Sequence, residues 1–279
     1  MRPFRYERPD RLADAVALLG EGSARVLAGG TDLVIRLRDG SLRPEVVVDV
    51  KRIAEIDDGI HEVDDRIVIG ARAVMTDIAA HPRIRADFPA LAEAALVVGS
   101  VQIRNRATLA GNVCNASPAA DTAPALLVYD AVVVATGPDG ERRIPIDAFF
   151  VRSGVTTLGP GELVTAIELP LPTQPRGSVH QRRTRRRGHD LASVTLACAI
   201  TPDGTTRLAY GSVGPRPVLA TAAGHAGPVG EVLERMLAAA APSPTSLRAS
   251  PEYRLAMLRV HAERALDTAR RRLAEQAAQ

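Results

Sequence analysis

Two short polar segments carry the residue types in this chain that are best suited to holding a ligand. They are LAGGTDL at 27–33 and TLAGNVCNASPAADTAPA at 108–125, each next to apolar residues. Small residues let the backbone approach a ligand closely, and successive N–H groups can converge on an anion. A Gly-Gly pair alone is more often an ordinary turn, but the two segments together predict a phosphate-bearing ligand held from two sides.

The common catalytic and nucleotide-binding motifs do not occur in the chain. Neither glycine segment matches G-x-G-x-x-G or G-x-x-x-x-G-K-[ST], and there is no G-x-S-x-G elbow. The six histidines are scattered, and two cysteines, Cys114 and Cys198, exclude a four-cysteine iron–sulfur site from this chain alone. Phosphate cradles without an obvious acid, base or nucleophile are typical of a cofactor-holding protein, because the cofactor performs the reaction.

Composition limits the class of protein and its location. The 279 residues are 46% hydrophobic and 24% charged, as expected for a globular protein of two or three subdomains. No apolar run approaches about 18 residues, and none follows the charges of MRPFRYERPD, so we expect a cytoplasmic protein without a membrane span or signal peptide. The formal net charge is +3. The arginine-rich run at 182–187 lacks interleaved aromatics and favours a solvated face or an acidic partner subunit over nucleic acid.

The first 55 residues predict a small α/β unit. A helix is expected at Asp10–Leu19 with Asp10 as its N-cap, followed by strands at Arg25–Ala28 and Val46–Val50. Thr31 and Asp32 are expected to cap a helix that runs to Leu37, so the first glycine segment lies at a strand-to-helix turn. Such a turn directs helix N–H groups at a ligand.

The remaining chain predicts two further units. Residues 56–172 alternate apolar strands and helices around the second polar segment, which is expected to be a loop, and include a hairpin turn at 138–140. Pro170–Ser178 is the predicted linker, since it holds three prolines and a glycine. Residues 177–279 predict an α+β unit with a hairpin around 202–204 and a last helix that has Ser250 as N-cap and Pro251 at its first position.

The order and spacing of several segments resemble one known family. These segments are PFRYERPDRLADAVALL, AGGTDL, IGARAVMTDIA, QIRNRATLAGNVCNASPAADTAPALLVYDA, TTLGPGELVTAIELP, GHDLASV, GSVGPRPV and SPEYRLAMLRVHAERAL. They resemble the FAD-binding subunits of the molybdenum hydroxylases, which include the medium subunit of aerobic carbon monoxide dehydrogenase and the FAD-binding subunit of xanthine dehydrogenase. The resemblance implies an α+β chain with a two-subdomain FAD-binding fold of the vanillyl-alcohol-oxidase or PCMH type. A small C-terminal α+β domain with an antiparallel sheet and helices would follow.

The resemblance also implies FAD as the cofactor and assigns residues to it. Both polar segments would hold the pyrophosphate, Asp121 would meet a sugar hydroxyl or the flavin surroundings, and Val164 would pack on the flavin or adenine. Arg182 matches a position where relatives often carry lysine near the isoalloxazine, and Arg186 and Asp190 are expected on the same loop. The complete implied set is Leu27, Ala28, Gly29, Gly30, Thr31, Asp32, Leu33, Thr108, Gly111, Asn112, Ser117, Asp121, Val164 and Arg182.

Several positions in and near this set have a second interpretation. Ala110 stands where relatives usually have glycine, and if that position needs a positive φ the alanine would cost about 1 kcal/mol. Asp121 could instead cap a helix that begins near Thr122. Cys114 is expected to be a buried filler and not a redox group, and His189 to be structural and not a proton carrier.

The function that the resemblance implies is electron transfer within a larger complex. Electrons would pass from the [2Fe–2S] clusters of a small subunit through FAD to NAD⁺, a quinone or another acceptor, while a molybdopterin-binding large subunit oxidises the substrate. The alternatives are a flavin-free assembly subunit, which Ala110 leaves open, and a stand-alone FAD-dependent oxidoreductase. The substrate site would lie on another subunit.

Overall fold

The computed structural model describes residues 2–186, 188–224 and 229–277. In these residues the strands form sheets of three, five and four strands and one two-stranded ribbon, with helices between and upon them. The α+β class expected from the sequence is confirmed.

The first sheet is parallel and has the order β1-β3-β2. Its elements are β1 (Arg5–Glu7), α1 (Leu12–Gly20), β2 (Ala24–Leu27), α2 (Leu33–Arg38) and β3 (Val46–Asp49). All four residues of β3 are buried, and three of them are valines, as expected for the central strand of a parallel sheet. Asp10 as N-cap was wrong: Arg11 holds the cap position without a side-chain bond, and Glu55 Oε1 accepts the N–H of Leu12. The expected capping of α2 by Asp32 was also wrong, since Asp32 has helical dihedral angles and makes no such bond.

The second sheet is antiparallel and has the order β4-β5-β10-β6-β7. Its strands are β4 (Ile60–Val63), β5 (Arg66–Gly70), β6 (Val132–Gly137), β7 (Gly140–Pro145) and β10 (Leu163–Pro170). The hairpin predicted at 138–140 is confirmed, because Gly137 pairs with Gly140 and Gly140 has a φ of +102°. The ribbon pairs β8 (Phe150–Arg152) with β9 (Val155–Thr156).

A layer of short helices lies between β5 and β6 in the sequence. Prolines at the first positions of the second and third of these helices explain why this part of the chain forms several short helices. The helices are α3 (Met75–Ala80), α4 (Pro82–Asp87), α5 (Pro89–Leu96), α6 (Val101–Arg104), α7 (Leu109–Asn115) and α8 (Thr122–Val128), and α9 (Ile146–Phe149) follows β7.

The third sheet is antiparallel and runs in sequence order. It contains β11 (Gly177–Arg183), β12 (Val194–Ile200), β13 (Thr206–Gly211) and β14 (Val218–Ala222), and α10 (Glu231–Leu237) and α11 (Pro251–Ala277) follow it. The predicted linker was too long, because its first residue belongs to β10 and its last two to β11. The cap of the last helix is confirmed, since the N–H of Tyr253 donates to Ser250 Oγ.

Both faces of the third sheet are covered. Ala197, Ala199 and Ala209 join the core that also contains the first two sheets and the helix layer. Leu196, Cys198, Ile200, Leu208 and Tyr210 alternate with those alanines and pack with α10 and α11. Small side chains on one face therefore let β12 and β13 lie close against α8.

Three arginines connect the third sheet, and the segment that leads into it, to the helix layer. The Arg176 guanidinium lies 4.3 Å from the centre of the Tyr129 ring and 5.5 Å from that of Phe88, in the range of cation–π contacts. Arg207 pairs with Asp130, and Arg272 pairs with Glu93 and donates to the Ser178 carbonyl. No helix among the described residues is both long and apolar enough to cross a membrane.

Candidate functional site

The first glycine segment lies at the carboxyl end of β2, in the turn that leads to α2. Gly30 has a φ of +76°, which favours glycine. A Cβ added at Gly29 would lie 2.8 Å from the carbonyl carbon of Arg106 and closer still to its oxygen. The first segment is therefore in direct backbone contact with the chain just before the second segment.

The second polar segment begins as a helix and is not the open loop that the sequence analysis expected. Thr108 is the N-cap of α7: its Oγ1 accepts the N–H of Gly111 at 3.0 Å, and its carbonyl accepts the N–H of Asn112 at 3.0 Å. A Cβ at position 111 would approach Thr108 Oγ1 at 2.9 Å. The loop prediction failed because Gly and Asn disfavour helices intrinsically, whereas here the cap and burial of Leu109 and Val113 stabilise one.

Ala110 does not strain this helix. It lies within α7, 6% exposed, and is absent from the described non-glycine residues with positive φ, which are Asp64, Ala116, Asp130 and Ser212. The left-handed position is the C-cap of α7, Ala116, with a φ of +46°. The cost that the sequence analysis attached to Ala110 on condition of a positive φ does not arise.

Several hydrogen-bond donors of the two segments have no acceptor among the described residues. The backbone N–H groups of Gly29, Gly30, Thr31 and Asp32 make no hydrogen bond to those residues. On the second segment, Thr122 Oγ1 donates to Asn112 Oδ1 at 2.7 Å, which leaves the Asn112 NH₂ group unpaired. Ser117 Oγ accepts the N–H of Ala119, so its own proton is free as well. Unused donors on both sides fit an anion between them.

Asp121 takes part in a buried ion pair. Its side chain is 9% exposed, and its Oδ2 accepts from Arg182 Nη1 at 2.8 Å. Asp121 has the N-cap position of α8 but makes no capping bond, so the alternative of a helix cap was wrong. Its Oδ1 is buried without a hydrogen bond among the described residues, and the nearest ring nitrogen, His180 Nε2, is 3.5 Å away. A buried carboxylate oxygen without a donor calls for a ligand or water that supplies one.

Arg182 is held by three acceptors from three parts of the chain. Besides Asp121, its guanidinium donates to the carbonyls of Val97, at 2.8 Å, and Asp190. Arg182 was expected on a loop, but it belongs to β11, while Asp190 lies beyond the strand end as expected. Period-two alternation places His180 and Arg182 on one face of the strand, toward Asp121.

The other predicted residues lie as follows. Leu27 ends β2 and Leu33 begins α2, and Ala28 and Thr31 are half-buried between them. Val164 is buried in the core at the bulge of β10, opposite Ala135, and its contact with a cofactor stays a prediction. Cys114 is half-buried and not fully buried as expected; desolvation raises its pKa to about 12, which leaves a weakly nucleophilic thiol. Arg187 lies outside the described residues.

Sequence reasoning missed three contributors to this site. Thr122 orients Asn112, His180 approaches Asp121, and the backbone of Arg106 meets Gly29. Of these three, only His180 could have been found from the sequence, because it lies two residues before Arg182. That spacing places both side chains on one face of a strand, but the polar residues of β11 did not predict a strand. Among the described residues, no group of three or more His, Cys, Asp or Glu side chains could hold a metal ion.

Comparison with known proteins agrees with this geometry. Residues 2–172 match the family described as the FAD binding domain in molybdopterin dehydrogenase. The chain belongs to this family. It is 32% identical over 280 residues to the carbon monoxide dehydrogenase medium chain of Hydrogenophaga pseudoflava, covering 95% of this chain and 96% of that one. It is 31% identical over 281 residues to the xanthine dehydrogenase FAD-binding subunit of Escherichia coli O157:H7, covering 95% of each.

A solved structure supports the same assignment over the whole chain. A chain of the cyanide-inactivated Cu,Mo-CO dehydrogenase superposes with a TM-score of 0.89 at 30% identity, covering 98% of this chain and all of that one. The resemblance found in the sequence is thereby confirmed, and so is the PCMH-type FAD-binding fold. The chain is an FAD-binding oxidoreductase subunit of the type found in molybdenum hydroxylase complexes.

The contact at Gly29 yields a first prediction. Gly29→Ala forces a methyl group into the Arg106 carbonyl, so the two segments must separate. We expect FAD affinity to fall by at least about tenfold, because the donors no longer converge. Isothermal titration with FAD measures this. Gly20→Ala is the control, since its Cβ would meet nothing within 4 Å, and it should bind as the unaltered chain does. Equal FAD affinity for the two variants would show that FAD binding does not depend on the close contact between Gly29 and Arg106.

The buried ion pair yields a second prediction. Arg182→Met leaves the Asp121 carboxylate without its main partner, and we expect a loss of about 3–5 kcal/mol in unfolding free energy. Adding Asp121→Asn should restore a large part of that loss, because the unpaired charge is gone. Urea denaturation of the single and double variants measures the coupling. Strictly additive losses would show that the two side chains are not coupled.

Proposed function

We propose that this chain holds FAD between the first glycine segment and α7 and passes electrons within a heteromeric molybdenum hydroxylase. The observation that carries the proposal is the contact of Gly29 with the Arg106–Ala107 peptide, which brings two sets of unused donors together. When bound, FAD supplies both one-electron and two-electron chemistry, which suits a link between iron–sulfur clusters and a two-electron acceptor.

The residues of the chain divide the binding task. The N–H groups of Gly29–Asp32 and the Asn112 NH₂ group would bind the pyrophosphate, with Leu27, Ala28, Thr31 and Leu33 shaping that wall. Thr108 and Gly111 would bind indirectly, because the cap between them orders the first turn of α7. The free proton of Ser117 extends the same donor surface.

Asp121 and Arg182 would form the wall toward the flavin. The orphaned Asp121 Oδ1 is an acceptor for a ribityl or ribose hydroxyl, and Arg182 fixes the carboxylate through its other oxygen. Because Arg182 already donates to three acceptors, its role is to orient Asp121 and the Val97 and Asp190 carbonyls. The charge that it carries beside the cofactor would still influence the flavin potential.

The partners proposed for the chain follow from its relatives. Those relatives are a medium chain of carbon monoxide dehydrogenase and an FAD-binding subunit of xanthine dehydrogenase. We assign the electron donor to a small subunit with [2Fe–2S] clusters and substrate oxidation to a molybdopterin-binding large subunit. The acceptor would be NAD⁺, a quinone or another oxidant. Since the two relatives are named for different substrates, the substrate is not a property of this fold.

The test is to purify the chain from its native cells and record its visible spectrum. Flavin absorption bands, FAD released on denaturation, and copurifying polypeptides that carry molybdenum and iron would support the proposal. A flavin-bearing chain without partners would favour a stand-alone oxidoreductase. A complex that stays colourless in the flavin region with excess FAD would contradict the electron-transfer role and favour an assembly subunit.

A further inference from the structure

Arg106 has an exposed side chain with no hydrogen-bond or ion-pair partner among the described residues. Its neighbours are engaged: the Arg104 guanidinium donates to the carbonyls of Val98 and Gly99, and Asn105 accepts from the Thr76 hydroxyl. Arg106 is thus the one arginine of the segment QIRNR whose side chain is unused.

The backbone fixes the position of Arg106 between the two donor sets. The carbonyl group of Arg106 lies against the first glycine segment, because a Cβ added at Gly29 would clash with the carbon and oxygen of that group. Two residues later, Thr108 is the N-cap of α7, and the intervening Ala107 carbonyl accepts the N–H of Met75. This bond and the contact with Gly29 fix the backbone on both sides, so the long side chain is anchored at the junction itself.

Without Arg106, the described residues at the junction between the two donor sets offer no unpaired positive charge to a pyrophosphate. The donors identified above are neutral amides and the Ser117 hydroxyl, whereas a pyrophosphate carries formal negative charge. Asp32 adds a carboxyl group to the first segment; desolvation by the surrounding chain raises its pKa, and the charge of Arg36 opposes the shift. Arg36 therefore faces an acid of its own, and Arg106 supplies positive charge that no acid neutralises. Guanidinium groups bind phosphate oxygens in bidentate geometry.

We infer that Arg106 is a further cofactor-binding residue, whose guanidinium pairs with the pyrophosphate of a dinucleotide held between the glycine segment and α7. The inference rests on the proposed function and adds to it a residue outside the set that the family resemblance implies. It also accounts for an unpaired arginine where the first glycine segment meets the chain just before the second segment.

The experiment compares FAD and ADP binding by the full chain, purified with any subunits that accompany it, before and after Arg106→Ala. We expect the FAD dissociation constant to rise about tenfold at low salt, and the affinity for ADP as a competitor to fall by a similar factor. The difference should shrink as ionic strength rises, because salt screens a partly exposed charge pair. Arg106→Lys keeps the charge and should retain part of the affinity.

Arg85→Ala is the matched control. Arg85 is an exposed arginine on α4 without a side-chain partner among the described residues, and the next residues of that helix line a cleft with the linker and α11. It removes the same formal charge and should leave both affinities and their salt dependence unchanged. An unchanged melting temperature of Arg106→Ala without FAD would exclude a merely structural effect.

Two results would overturn these ideas separately. If the unaltered chain binds FAD and Arg106→Ala binds it equally at every salt concentration, the inference about Arg106 is wrong while the proposed function stands. If the unaltered chain binds no FAD even with its partner subunits, the proposed function itself is wrong.

Discussion

The close contact between Gly29 and the Arg106–Ala107 peptide is the constraint on which the candidate site depends. A residue with a side chain at position 29 would separate the carboxyl end of the parallel sheet from the helix layer. With glycine there, the turn after β2 and the cap of α7 face one another, and their unused donors can act on the same ligand. Under the proposed function, affinity for the pyrophosphate would arise from two elements, one at the end of the first sheet and the other in the helix layer.

The buried pair of Asp121 and Arg182 adds a third element to this arrangement. It joins the start of α8 to β11, and Arg182 extends the connection to the carbonyls of Val97 and Asp190. Such a pair contributes little net stability, but it fixes the geometry of the groups it joins. The alanine-rich face of β12 and β13 makes this possible, because it lets the third sheet pack directly on the helix layer.

The sequence predicted most of the fold and the outline of the site. The strands predicted at Arg25–Ala28 and Val46–Val50 were evident from apolar runs, and Ser250 and Pro251 marked the start of α11. Prediction failed where tertiary contacts override local preference. α7 contains Gly111 and Asn112 yet is helical because Thr108 caps it, and β11 was concealed by the polar run that ends in Arg182 and Arg183.

The finer features of the site were outside the reach of sequence reasoning. Neither the approach of Arg106 to Gly29 nor the orphaned oxygen of Asp121 follows from spacing, since both depend on how the helix layer packs against the sheets. The family resemblance named Asp121 and Arg182 individually, but only the structure shows that they bind each other. Similarly, the concern over Ala110 depended on a backbone angle that the helix makes ordinary.

Amide hydrogen exchange with and without FAD tests the central claim most directly. The N–H groups of Gly29, Gly30, Thr31 and Asp32 have no acceptor among the described residues, so they should exchange quickly in the free protein. The account predicts that FAD slows exchange in this segment and in the first turn of α7 together. Protection confined to only one of the two segments, or to neither, would contradict a cofactor held between them.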